Sequence, residues 1–212
     1  MIETLIVLAK RPVPGRVKTR LCPPFTQVQA AALADAALRD TLDATDAVAA
    51  RRRVLTFDGD ANGWLRPGWR LVPQCAGGLD RRLASALEQA GTPSVLVGMD
   101  TPQLQAHHLD GVDLAGNDAC LGLSADGGYW AIGLADHRLA QSALRGVPMS
   151  TPHTGTAQLG RLHSLGLRVQ LLAELTDVDT AQEARSVAAG APWTRFAALH
   201  RKFVLSADAE VA

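Results

Sequence analysis

Leu5-Ile6-Val7-Leu8-Ala9 runs straight into Lys10-Arg11-Pro12-Val13-Pro14-Gly15-Arg16-Val17-Lys18-Thr19-Arg20-Leu21. The apolar run is too short to stand as a helix and is unbroken by polar residues, so it reads as a strand buried on both faces. Similar runs recur at Arg53–Phe57, Ser94–Gly98, Ala119–Leu123, Tyr129–Leu134 and Leu167–Leu172. Between them, Thr26–Thr45, Leu79–Ala90 and Thr180–Ala189 are rich in Ala and Leu, with apolar residues three and four apart, the helical spacing. Buried strands alternating with helices predict an α/β chain: a single three-layer α/β/α domain, residues 1–205, around a mostly parallel mixed sheet. Ser206 to Ala212 is small and polar, and is expected to be a frayed tail.

Composition narrows the functional classes. The 212 residues carry 21 Lys+Arg against 21 Asp+Glu, so no global basic surface is available for coating nucleic acid. Three cysteines, Cys22, Cys75 and Cys120, at wide spacing suggest neither a disulfide framework nor a cysteine zinc site, and favour a reducing compartment. Glu3 precedes the first apolar run and Lys10-Arg11 follow it, the reverse of a secretory signal. No stretch approaches the ~20 apolar residues that cross a bilayer. The expectation is a cytoplasmic protein with no membrane or nucleic-acid partner.

The charge that does exist is concentrated. Lys10, Arg11, Arg16, Lys18 and Arg20 crowd one loop, and no acid occurs from Thr4 to Ala34. An arbitrary basic run is a solvated face. This one leaves the carboxyl end of a buried strand, where open α/β sheets bind ligands. Pro12 and Pro14 stiffen it, Gly15 allows backbone approach, and its cations suit phosphate. The spacing is not that of a Walker A loop.

The string from Ala9 to Leu21 resembles the opening of a bacterial family of nucleotide-diphospho-sugar-transferase-like proteins. These carry a glycosyltransferase-A, Rossmann-like fold and occur in arsenosugar- and selenium-linked gene clusters. More distantly, it is similar to 2-phospho-L-lactate guanylyltransferases and sugar nucleotidyltransferases, whose first loop ends in Thr-Arg-Leu or Ser-Arg-Leu. The resemblance implies that Ala9, Lys10, Pro14, Gly15, Arg16, Lys18 and Arg20 hold nucleotide phosphates.

Three acidic elements extend it. In Val97-Gly98-Met99-Asp100-Thr101-Pro102 an acid follows a buried strand. On residue type alone Asp100 is either a helix cap beside Pro102 or a strand-end ligand; the resemblance implies a ligand of Mg2+ or Mn2+. Asp126-Gly127-Gly128-Tyr129 is by itself a hairpin signal, and the family places such an element in the acceptor pocket. Asp177-Val178-Asp179-Thr180 opens a helix, so Asp179 could act as its cap, with Glu183 reciprocating; the family implies that Asp177 and Asp179 complete the metal site with Asp100.

Gly77-Gly78-Leu79-Asp80-Arg81-Arg82 departs from the family's Asp-Leu-Gly-Glu-Arg, which weakens base contacts inferred from it, although Gly77 and Gly78 still suit close backbone approach. Met149 replaces the tryptophan of a Trp-Ser-Thr-Pro element. The six histidines have no paired metal spacing, and no nucleophile elbow is present.

The reading is a divalent-metal-dependent transferase that moves a nucleotidyl group from a nucleoside triphosphate to a small phosphate- or phosphonate-bearing acceptor. Lys18, Arg20 and Asp100 are its expected catalytic groups. The rivals are glycosyl transfer from a nucleotide sugar and a non-enzymatic nucleotide-binding module. The basic loop favours nucleotidyl transfer, because departing pyrophosphate gathers negative charge that fixed cations stabilise.

Overall fold

The computed structural model describes the backbone of residues 1–211 and the side chains of residues 1–206. Strand β1, Ile2–Lys10, is the pivot of the sheet. Its side chains alternate: Leu5, Val7 and Ala9 enter one apolar layer, while Ile6 and Leu8 enter the other. Burial on both faces explains why the sequence there is unbroken Leu, Ile and Val.

The remaining strands are β2 (Ala50–Asp58), β3 (Arg70–Pro73), β4 (Ser94–Val97), β5 (Ala119–Leu123), β6 (Tyr129–Leu134) and β7 (Val169–Leu171). They form one sheet in the order β3-β2-β1-β4-β6-β5-β7. Only β6 runs antiparallel to its neighbours β4 and β5; every other pair is parallel. The sheet is therefore mixed and mostly parallel, as expected. The chain winds from β1 through β2 to β3 on one side, then returns to place β4 on the other side of β1. That reversal makes β1/β4 a topological switch point, and the crevice at its carboxyl edge is where such sheets bind ligands.

Helix α1, Gln27–Asp46, packs Ala31, Ala34, Leu38 and Leu42 on one face of the sheet. Its entry is fixed by a Thr26/Gln29 capping box. The opposite face is covered by α2 (Leu79–Ala90), and after the short α3 (His107–Asp110) by α4 (Ala140–Leu144) and α5 (Thr154–Ser164). Helices α6 (Ala181–Gly190) and α7 (Arg195–Val211) back onto the outer side of α1 through Leu33, Ala37, Val187 and Phe196. The segment from Ser206, expected to fray, continues α7 as helical backbone to Val211; Ala212 lies outside the described residues. Among the described residues no helix is long and apolar enough to cross a membrane.

Candidate functional site

At the carboxyl edge the ends of β1 and β4 are tied together, with the Lys10 amide donating to Met99 Sδ at 3.3 Å. Asp100 lies just beyond. The segment carrying the later acids is fastened to it through the main chain: the Val178 amide donates to the Asp100 carbonyl at 2.9 Å, and the Gln103 side-chain amide to the Thr176 carbonyl at 2.7 Å. Val178 is buried between its two acidic neighbours and anchors them. This is how acids far apart in the chain reach one place.

The helix that follows is capped by Thr180 in a capping box with Glu183, not by Asp179. Glu183 accepts from the Asp179 and Thr180 amides, which leaves the Asp179 carboxylate free for the crevice.

Lys18 occupies the centre. Its backbone is left-handed, with φ 48°, between buried Val17 and the one-turn 3-10 helix Thr19–Leu21. The side chain is 8% exposed, and Nζ lies 2.8 Å from both Asp100 Oδ1 and Asp179 Oδ1. The two carboxylate oxygens are thus within twice that distance of each other. Burial alone would lower the Lys18 ammonium, but the charges of Asp100 and Asp179 overcome it and hold the pKa above the ordinary lysine value. Burial likewise acts to raise Asp179, yet Lys18 and then Arg20 hold it below the ordinary carboxylate value. Arg20 is a looser partner: its Nη1 is 3.7 Å from Asp179 Oδ2, and its side chain is 71% exposed.

Asp177 is partly buried, and its pKa is pushed up to about 7, first by burial and then by repulsion from Asp100, Asp126 and Asp179. The structure brings Asp100 and Asp179 to one cationic group, with Asp177 near enough for their charges to act on it. Among the described residues no three His, Cys, Asp or Glu side chains converge as a metal cage. Instead the Lys18 ammonium stands between two of the acids.

These groups open onto a cavity of about 630 Å³. Of the expected residues, Ala9, Lys10, Arg20, Asp100, Asp126, Gly128, Tyr129, Asp177 and Asp179 line it. Lys18 does not line it, but its ammonium meets the carboxylates of Asp100 and Asp179, which do. Pro14, Gly15, Arg16, Gly77, Gly78 and Gly127 do not line it. Pro14–Arg16 form a turn, closed by the Arg16 amide on the Val13 carbonyl, and Gly15 faces Gln27. Gly78 is the N-cap of α2, and Gly77 lies against Arg81.

Asp126 closes its own turn by accepting from the Gly128 amide at 2.9 Å. Gly127 is packed behind, its carbonyl accepting from the Gly155 amide at 2.8 Å. Met149, Ser150, Thr151, Pro152 and Thr154, the entry to α5, therefore join the wall. The phenol of Tyr129 is turned to Gln158 (3.4 Å) and Met149 (3.8 Å), and burial raises its pKa.

Arg82 and Gln74 also line the cavity, although sequence reasoning did not select them as site residues. The Gln74 amide nitrogen donates to the carbonyls of Ala9 (2.7 Å) and Thr56 (3.3 Å), and its oxygen accepts from Arg82 Nη1 at 3.1 Å. Gln74 thus positions Arg82. The nearest signal was the Gln74 to Arg82 stretch itself, which resembles a family segment that contacts the nucleotide base or the helix start, although Gly78 and Asp80 depart from its pattern.

Residues 26–151, more than half of the chain, match the family model DUF2064, described as "Uncharacterized protein conserved in bacteria". The chain belongs to the DUF2064 family. The matched region holds Asp100 and the Asp126 turn; the basic loop and Asp177–Asp179 lie outside it. No match was found among curated proteins.

Among solved structures the chain is similar to a "putative nucleotide-diphospho-sugar transferase" of Desulfovibrio desulfuricans G20. Identity is 25%, 95% of each chain is covered, and the TM-score is 0.85. It also shares its fold with a CMP:2-keto-3-deoxy-manno-octonic acid synthetase complexed with CTP (13% identity, 90% of this chain and 99% of that one, TM-score 0.57). A third is the 2-C-methyl-D-erythritol 4-phosphate cytidylyltransferase of Thermus thermophilus (16%, 91% and 100%, TM-score 0.54). The fold is of the nucleotide-diphospho-sugar-transferase type, as the resemblance implied.

Proposed function

We propose that this DUF2064 chain is a nucleotide-dependent transferase that moves a nucleotidyl group from a nucleoside triphosphate to a small phosphate- or phosphonate-bearing acceptor. The observation that carries the reading is Lys18: a buried ammonium held at the switch point of the sheet between Asp100 and Asp179, whose carboxylates line a cavity of about 630 Å³. The similarity to a "putative nucleotide-diphospho-sugar transferase", and the fold shared with two cytidylyl-type enzymes, support the transferase class.

An acceptor oxygen attacks the α-phosphorus, and the bond from that phosphorus to the bridging oxygen of pyrophosphate breaks. Lys10, Lys18 and Arg20 supply fixed positive charge where the leaving pyrophosphate gathers negative charge. The Asp126 turn, Gly128 and Tyr129, with the Met149–Pro152 segment opposite, form the wall against which the acceptor lies.

The residues present fit a divalent cation. Two carboxylate oxygens already share one cationic partner, and magnesium takes one or two carboxylates together with substrate phosphates and water rather than a full protein cage. Asp100 and Asp179 would hold it, with Asp177 beside them in the cavity wall. A bound Mg2+ or Mn2+ would neutralise phosphate charge during the transfer.

A second reading, transfer of a sugar from a nucleotide sugar, is favoured by the similarity to the Desulfovibrio protein. The two differ in the product released. Incubation with each nucleoside triphosphate and nucleotide sugar, with magnesium and small acceptors, separates them by mass: pyrophosphate marks nucleotidyl transfer, and a free nucleoside diphosphate marks glycosyl transfer. Neither product with any donor would leave a nucleotide-binding module.

A further inference from the structure

We propose that Lys18 is a resident counter-cation that excludes divalent metal from Asp100 and Asp179 while no phosphate chain is bound. The inference rests on the transferase reading for its purpose and on the geometry of the three side chains for its content.

The ammonium is 2.8 Å from one oxygen of each carboxylate, so it sits on the shared line of approach to both. A magnesium ion bridging the same oxygens would stand ~2.1 Å from each, in space the ammonium fills. The two cations cannot occupy that position together.

Lys18 cannot step aside freely. Buried Val17 and fully buried Leu21 fix the chain on either side of it, and its own backbone is left-handed. Its side chain is 8% exposed, and an ammonium withdrawn from water is costly to leave without an anion. Asp100 and Asp179 are its only carboxylate partners among the described residues. Vacating them requires another anion within reach, and the adjoining cavity is lined by Lys10, Arg20 and Arg82, which would hold one there.

Arg20 does not take over the role. Its guanidinium is 71% exposed and touches only Asp179, at 3.7 Å, leaving the space between the carboxylates to Lys18. The resting pair is therefore already neutralised from within. Metal and phosphate chain are expected to enter together, with the ammonium passing from the carboxylates to the phosphates.

The test is Mn2+ binding to nucleotide-free protein, followed by the electron paramagnetic resonance signal of free Mn2+. Wild type is compared with Lys18→Met, which keeps length and removes charge, and with Lys18→Gln, should the methionine variant fail to fold. The expected result is at least tenfold tighter Mn2+ binding in the Lys18 variant, cancelled by adding Asp100→Asn. Equal affinity in wild type and variant, or a gain that survives Asp100→Asn, overturns the proposal. So does tight one-to-one binding by the wild type that Asp100→Asn abolishes. No donor or acceptor enters the experiment. A failed transferase assay leaves this inference standing, and a failed metal titration leaves the transferase reading standing.

Discussion

Replacing Gly127 with alanine probes how the wall of the site is built. Gly127 has φ +88°, and a Cβ there would lie 1.9 Å from the Pro152 carbonyl oxygen and 2.6 Å from its carbon. Both obstacles are backbone, held by the Gly155 amide on the Gly127 carbonyl and by α5 behind it. The left-handed conformation costs a non-glycine residue about 1–2 kcal/mol. Forcing a methyl group into packed backbone costs a further ~1–3 kcal/mol. The expected loss is about 2–5 kcal/mol in urea unfolding, with a raised KM for the acceptor because the Asp126 turn and the Pro152 segment must separate. Gly166→Ala is the control: φ is +74°, but nothing lies within 4 Å of the added carbon, so only the conformational part is lost. Equal losses for the two variants, or a Gly127→Ala loss under about 0.5 kcal/mol, would refute the packed-wall argument.

Other expectations follow from the same geometry. In EDTA, Lys18→Ala should weaken nucleotide binding by about 1.5–3 kcal/mol, the worth of a charge-assisted phosphate contact, while exposed Arg20→Ala should cost under ~1 kcal/mol; calorimetric titration separates them. Asp100→Asn and Asp179→Asn should each abolish metal-dependent turnover while sparing the fold, and the double variant should be little worse than either, since one site is lost once. Burial, then the charge of Arg185, keeps His200 below the ordinary histidine value. The unfolded chain therefore takes up a proton near pH ~6.5 that the folded chain does not. The His200 contribution to stability should fall as pH drops through that value and level off below the folded pKa, against the opposite contribution of Asp177, whose pKa of about 7 makes the folded chain the proton binder there. His200→Gln should flatten the slope in part, because His108 is depressed in the same direction, chiefly by burial.

The strands that carry the site were legible because burial on both faces leaves an unmistakable apolar run, as in β1 and β4. The strand-end positions of Lys10 and Asp100 followed directly. Strand β3 was not legible: Arg70-Leu71-Val72-Pro73 lies at the sheet edge and buries only Val72, so it carries neither a continuous run nor a clear alternation. Helix α5 begins Thr154-Gly155-Thr156, where Gly155 is selected by its approach to the Gly128 carbonyl rather than by helix preference. Tertiary packing set that residue, and no local pattern reveals it. Composition marks the whole basic loop as a phosphate cradle with Lys18 and Arg20 as its catalytic cations, yet the fold divides it. Lys18 turns inward, Arg16 stays exposed, and Gly15 serves the turn. Loop composition gives charge; only the left-handed backbone at Lys18 decides which charge is buried.

Product analysis tests the central claim most directly. Purified protein is incubated with magnesium, each of the four common nucleoside triphosphates and a panel of small phosphate- and phosphonate-bearing acceptors, and pyrophosphate is measured beside the mass of the acceptor product. The account predicts pyrophosphate equal in amount to a nucleotidylated acceptor with at least one triphosphate, and loss of both in Lys18→Ala and Asp100→Asn. Release of a nucleoside diphosphate from a nucleotide sugar, with no pyrophosphate from any triphosphate, would contradict it.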